Sequence, residues 1–278
     1  MIGSRQNRTL KDIRRLRRSK GAHAVLEGPH LVSAAIAAGL PLDVVLATPE
    51  FLASAAGRAL AAELAHPPQL VEARLLDELA DADSPRGLLA VARLPRAGVA
   101  ALPARAGGIY LYLEGLQDPG NLGALARVAE AAGATGMALA SGTVHPNHPR
   151  ALRASAGSLL RLPAAVGVAP AQLDRHLAAA AAPALPPNSG AVAAPDPAAA
   201  PHWVALVPRG GADLYQAPAH ALGGTLVLAL GSEGPGVSPA LLARAELRLT
   251  IPVTPPVESL NVTVAAALAL FEIRRRRR

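Results

Sequence analysis

Apolar residues fall in short blocks separated by Gly, Pro and polar turns, and the blocks alternate between strand-like and helix-like patterns. Residues 22–27, the β-branched run at 43–47, residues 69–72 and residues 87–93 predict strands. Residues 29–38 (stopped by Gly39), the alanine-rich 51–65 and residues 75–80 predict helices between them. Residues 94–107, with Pro95 and Pro103, break the pattern and read as a linker. A second alternating series then begins. Strands are predicted at 109–113, 136–140, 203–207, 225–230 and 247–251. Helices are predicted at 122–132 (ended by Gly133), 149–160, 238–243 (opened by Ser238-Pro239) and 259–273 (capped by Ser259). Residues 178–201 are almost wholly Ala and Pro and predict a mobile loop. Strands alternating with helices specify an α/β fold, in two modules.

Length and composition agree with this. The chain has 278 residues, of which 51% are hydrophobic and 17% charged, enough apolar material for two cores. Cysteine is absent, which excludes a disulfide framework, a zinc ribbon and a thiol nucleophile. No run of 18 or more residues is both apolar and free of helix breakers, so no membrane span is expected. Residues 1–20 contain no apolar h-region, so no secretory signal is expected. The default expectation is a soluble cytoplasmic protein.

The formal charge is +7, and its placement matters more than its size. Residues 1–20 carry eight basic side chains against Asp12 alone, among them Arg14, Arg15, Arg17, Arg18 and Lys20. Residues 274–278 are all arginine, and the middle of the chain is mildly acidic. Basic ends fit phosphate contact with RNA or DNA, and they equally fit solvated termini. With only six aromatic residues, a base-stacking platform is not expected.

Three segments at the C-terminal ends of predicted strands carry candidate chemistry, at the sheet edge where open α/β folds bind ligands. In LQDPGNLGALAR (116–127), turn residues precede a helix, Gly123 permits close backbone approach, and Arg127 follows Asn121 by six positions. Alone, this fits an Asn cap with a surface Arg as well as it fits a site. In LGSEGPGVS (230–238), three glycines surround Glu233. The spacing is not that of a dinucleotide fingerprint, so an NAD enzyme is not supported, although the backbone could still cradle a nucleoside. In IPVTPPVESLNVTV (251–264), a stiff loop leads into a capped helix. His145 and His148 lack a nearby carboxylate partner for a metal, and none is expected.

In this order the three segments resemble the signature motifs of the SpoU/TrmH family, RNA 2′-O-ribose methyltransferases of the SPOUT superfamily. The matching patterns are D-P-x-N-x-G-x-x-x-R, then G-x-E-x-x-G, then I-P…E-S-L-N-V. Residues 153–157 (RASAG), 161–163 (RLP) and 207–211 (VPRGG) match between them. The resemblance implies a methyltransferase domain at 108–274 with a deep trefoil knot. It also implies an L30e-like RNA substrate-binding domain at 21–93, preceded by a basic arm at 1–20. It further implies a homodimer using S-adenosylmethionine, without a metal, on RNA, with ribosomal RNA favoured over tRNA. The implied catalytic set is Asn121, Arg127, Glu233, Ser259 and Asn261. Leu230, Gly231, Ile251, Pro252 and Leu260 would hold the cofactor, and Arg14, Arg15, Arg17, Arg18, Lys20 and Arg153 would meet RNA. Thr254, Pro255 and Pro256 stand where relatives often carry glycine. Proline removes amide donors there, which leaves a catalytically inactive RNA-binding protein on the same scaffold as the rival expectation.

Overall fold

A computed structural model describes residues 1–17, 21–80, 86–94, 98–179 and 200–278. The mobile loop expected at 178–201 therefore lies almost wholly outside the described residues, as do Arg18 and Lys20. The chain forms two compact units, Met1–Pro95 with His145–Arg161, and Arg96–Val144 with Leu162–Arg278.

The first unit contains α1 (Arg8–Leu16), β1 (His23–Glu27), α2 (Gly28–Ala37), β2 (Leu42–Ala47), α3 (Pro49–Ala53), α4 (Ala55–Glu63), β3 (Gln69–Leu70), α5 (Ala73–Asp77) and β4 (Leu88–Arg93). Its four strands form a sheet of order β1-β4-β2-β3, antiparallel except for the parallel β2–β3 pair. The single helix expected over 51–65 is two. Ser54 is extended, its hydroxyl donates to Phe51 O (2.6 Å) and accepts from Gly57 N (3.0 Å), and this local pairing ends one helix and caps the next.

The basic arm expected at 1–20 is instead partly built into the core. Helix α1 is capped by Asn7, whose side chain accepts from Thr9 N, and it buries Leu10 and Ile13 against Val25, Leu46, Leu75 and Val91. Buried apolar area of this kind outweighs the cost of ordering a terminal helix. The Arg17 guanidinium, 12% exposed, pairs with the buried carboxylate of Glu27 (2.9 Å).

The second unit opens with a 3-10 turn at Val99–Ala101, so part of the expected linker belongs to this unit. Next come β5 (Ile109–Leu113), α6 (Pro119–Ala132) and β6 (Gly136–Leu139). The chain then supplies α7 (Pro149–Ala154) and α8 (Ser158–Arg161) to the first unit. The one helix expected at 149–160 is broken where Ala156 and Gly157 take φ of 48° and 88°. The chain returns with β7 (Ala164–Val166), α9 (Pro170–Ala179), β8 (His202–Leu206), β9 (Ala212–Asp213), β10 (Leu226–Leu230), α10 (Pro239–Arg244), β11 (Leu247–Thr250) and α11 (Val262–Arg276).

Seven strands form one sheet of order β7-β6-β5-β10-β8-β11-β9, with every pair parallel. Such sheets are covered on both faces, which is why IYLYL and LVLAL are unbroken apolar runs and fully buried. On one face Tyr112 meets Trp203 edge-on at 5.2 Å, and the Trp203 indole N–H donates to Asp174 (2.6 Å). The Tyr112 hydroxyl donates to Val168 O (2.9 Å), and burial pushes its pKa up to about 12.

The C-terminal arginines do not form a free tail. Arg274 donates to Ala131 O (2.6 Å), Arg276 to Ala217 O and Leu214 O, and Arg277 to Leu222 O (2.7 Å), Gly107 O (2.9 Å) and Gly224 O (2.9 Å). No helix among the described residues is long and apolar enough to cross a membrane.

Candidate active site

The site lies at the C-terminal ends of β8, β10 and β11, where three loops enclose a cleft of ≈ 370 Å³. The loop after β10 folds back on itself. Ser232 N donates to Gly236 O (3.2 Å), and Gly236 N donates to Ser232 O (3.0 Å). The return is close enough that a Cβ on Gly231 would overlap the backbone of Gly236 and Val237. Gly236, at φ 73°, supplies the turn that only glycine adopts without strain. This fold projects Glu233 from the loop tip.

The loop is fixed at its root by Glu114, which follows β5. The Glu114 carboxylate accepts from Ser238 N (2.9 Å) and from the Ser238 hydroxyl (3.0 Å), and Ser238 in turn caps α10. Its own backbone N–H donates to Leu230 O (2.9 Å). Glu114 was not singled out in the sequence, because a lone carboxylate beyond an apolar strand carries no local signal of a partner more than a hundred residues away.

Helix α6 begins three residues before the predicted start. Asp118, not Asn121, is the cap, accepting from Asn121 N (2.8 Å), with Pro119 in the first turn. The Asn121 side chain is thereby released for tertiary bonds. Its amide donates to the Glu233 carboxylate, and its carbonyl accepts from the Asn261 amide (3.2 Å). The Thr263 hydroxyl donates to Asn121 O (3.4 Å). Asn261 is also the cap of α11, accepting from Thr263 N (2.9 Å). The cap expected at Ser259 therefore lies two residues later.

Asn121, Glu233 and Asn261, one from each motif, are thus joined by hydrogen bonds at the cleft edge. Ser259, Glu233 and Asn261 line the cleft, as do Leu230, Gly231, Ile251 and Leu260. Pro252 does not line it, and neither do Thr254, Pro255 and Pro256, so the prolines take no amide donor from the cleft wall. Leu206, Val207 and Pro208 do line it, and the sequence marked Val207 and Pro208 through the VPRGG motif and Leu206 only as part of a predicted strand. Arg127 stands apart from the cluster. It is exposed on α6 and has no hydrogen-bond or ion-pair partner among the described residues.

Of the arginines expected to meet RNA, Arg14 and Arg15 are exposed or partly so and paired loosely with Glu78 (3.7 Å) and Asp12 (3.7 Å). Arg17 and Arg153 share Glu27, at 2.9 and 3.1 Å, and so hold the first unit together. His145 and His148 accept from Asn147 N (3.1 Å) and Arg150 N (3.2 Å), as turn and cap residues. No group of three potential metal ligands occurs among the described residues.

Comparisons with known proteins identify the family. Residues 108–271 match the SpoU rRNA Methylase family, and residues 6–90 match the MRM3-like substrate binding domain. The chain belongs to the SpoU rRNA methylase family. An uncharacterized tRNA/rRNA methyltransferase of Synechocystis is 33% identical over 99% of this chain and 93% of its own. The 23S rRNA guanosine 2′-O-methyltransferase RlmP of Bacillus subtilis is 27% identical over 98% of both chains. The AdoMet-bound rRNA methyltransferase from Sinorhizobium meliloti superposes with a TM-score of 0.78 at 25% identity, covering 99% of this chain and 97% of that one. In this SpoU chain the family match is continuous, whereas the fold sends His145–Arg161 to the first unit.

Proposed function

We propose that this chain is an S-adenosylmethionine-dependent methyltransferase acting on a ribose 2′-hydroxyl of RNA, with ribosomal RNA the substrate. The observation that carries the reading is the Asn121–Glu233–Asn261 bridge, which draws three remote motifs to the edge of one cleft. The cleft suits an adenosine. Apolar Leu206, Leu230, Ile251 and Leu260 offer flat contact, and the glycine loop exposes main-chain donors and acceptors.

S-adenosylmethionine supplies an electrophilic methyl on a sulfonium. The protein must align the hydroxyl oxygen with that methyl, exclude water and stabilise the oxygen as it loses its proton. A guanidinium is a poor base at ordinary pH, so Arg127 acts as a cation for the developing alkoxide, and the proton leaves to a phosphate or to water. The exposure of Arg127 and its lack of protein partners suit a group that waits for RNA. Glu233 orients Asn121, Asn121 fixes the backbone of the first α6 turn or the ribose, and Ser259 and Asn261 hold the cleft wall. Metal is not needed.

The same reading takes the enzyme to be a cytoplasmic homodimer with its site loops tied in a trefoil knot. Support for a dimer comes from α11, which buries Ala266, Ala269, Leu270 and Ile273 while Val264, Leu268 and Phe271 on its opposite face are 48%, 38% and 48% exposed. A helix apolar on both faces is covered on both. The prolines that favoured a catalytically inactive RNA binder lie off the cleft wall.

The deciding experiment maps 2′-O-methyl groups in RNA from cells with and without the gene, then restores any lost site with purified protein and S-adenosylmethionine. One restored rRNA site supports the reading. No lost site together with no cofactor binding overturns it.

A further inference from the structure

Four arginines, Arg105, Arg274, Arg277 and Arg278, line a second cavity of ≈ 360 Å³ in the methyltransferase unit. It opens beside Ile109, at the N-terminal end of β5, the sheet edge opposite the cofactor cleft. No Asp or Glu side chain lines it. Arg274 and Arg277 are held by main-chain carbonyls, which fix their guanidinium groups without neutralising them. Burial pushes the Arg277 pKa down, the direction expected for a cation lacking a counter-charge. The side chains of Arg105 and Arg278 have no hydrogen-bond or ion-pair partner among the described residues.

Helix C-termini favour cations, and that accounts for Arg274 and Arg277 at the ends of α6 and α11. It does not account for Arg105, which comes from the segment before β5, or for Arg278 beyond the helix. Four like charges sharing one concave wall without Asp or Glu side chains form a site for a multivalent oxyanion. Arginine's planar fork suits phosphate oxygens.

We infer that the Arg105–Arg274–Arg277–Arg278 cavity binds a backbone phosphate of the RNA substrate, away from the nucleotide being methylated. The inference rests on the RNA reading above. The five residues of β5 separate the two edges by roughly 17 Å, about five nucleotides of stacked strand at 3.4 Å each. Flanking RNA, not the target nucleotide, would therefore fill the cavity.

The test uses the full-length protein and deproteinised large-subunit ribosomal RNA, with affinity measured against salt. R105Q/R278Q removes the two arginines that hold nothing in the fold, and R175Q/R248Q is an equal-charge control outside the cavity. The expected result is a roughly tenfold affinity loss near 0.15 M salt and a salt slope shallower by about 1.5 for R105Q/R278Q, with neither in the control. Cofactor binding should stay unchanged in both.

An unchanged slope in R105Q/R278Q, with wild-type RNA binding intact, overturns the cavity assignment and leaves the methyltransferase reading standing. Wild-type protein that binds no ribosomal RNA overturns both. Calorimetry with inorganic pyrophosphate separates a third outcome. If the wild type binds pyrophosphate, R105Q/R278Q does not, and the RNA slope is unmoved, the cavity serves a small free anion and the RNA assignment fails.

Discussion

Asn121 makes hydrogen bonds through its backbone and side chain to partners from three places in the chain: Asp118 just before it, Glu233 in the glycine loop, and Asn261 and Thr263 at the start of α11. The type of residue was legible in the sequence, since Asp-Pro-Gly-Asn before a helix is turn and cap chemistry. Its assignment was not, because either Asp118 or Asn121 could cap, and the choice depends on which of them has a tertiary partner. Arg127 shows the opposite case, a residue marked by its motif whose surroundings in the fold are bare. For Arg127→Ala, methyl transfer to ribosomal RNA should fall by about 10²–10³-fold, the cost of losing one oxyanion donor. S-adenosylmethionine affinity should stay within a few-fold by calorimetry, and undiminished turnover would remove Arg127 from the mechanism. Glu272 belongs to this scale too. The hydrogen bonds from Arg275 and Arg276 hold its pKa at about 2. A depressed carboxyl contributes stability above its unfolded pKa and loses it as pH falls through the folded one. Acid titration of thermal stability should therefore show a step between the usual carboxylate range and about pH 2 that is absent in Glu272→Gln. An identical acid profile for both proteins would rule the carboxylate out.

At the scale of elements, most strand positions were read well and helix ends less well, while β7, β9 and α9 were not predicted. β5 was predicted residue for residue and β10 to within a residue, because both are buried parallel strands and so unbroken apolar runs, and β11, a half-exposed LRLT, was also read to within a residue. Composition predicted one helix at 51–65 and one at 149–160. Ser54, Ala156 and Gly157 split them through local hydrogen bonds and positive φ that alanine content does not register. Helix α1 was read as an arm because eight basic side chains in twenty residues mask two buried apolar positions, Leu10 and Ile13. The glycine loop after β10 offers the sharpest test at this scale. In Gly231→Ala the new Cβ must displace the backbone of Gly236 and Val237, which moves Glu233 away from Asn121. Cofactor affinity should fall at least tenfold, and the melting temperature should drop by several degrees, the effect of roughly 1 kcal/mol or more of strain. Wild-type affinity in that variant would show that the loop tolerates a different path.

For the whole molecule, the apolar stripe Val264, Leu268 and Phe271 has a direct consequence. Phe271→Glu places a charge on the face proposed to meet the second copy. Light scattering should then find a monomer where the wild type is expected to be a dimer, with the melting curve of the monomer still cooperative. A dimer that survives the change would place the interface elsewhere. The sequence by itself determined the alternation of strands and helices, the two modules and the three motifs, because hydrophobic period and turn chemistry act over a few residues. Only the tertiary structure decided that His145–Arg161 leaves the second unit for the first, that Arg17 and Arg153 meet on one buried Glu27, and that Arg274, Arg276 and Arg277 bind carbonyls instead of solvent. Each of these is a pairing between groups far apart in the chain. A charge or a carbonyl in a sequence does not carry the address of its partner, and the two sheets that bring the partners together are themselves made of long-range pairings.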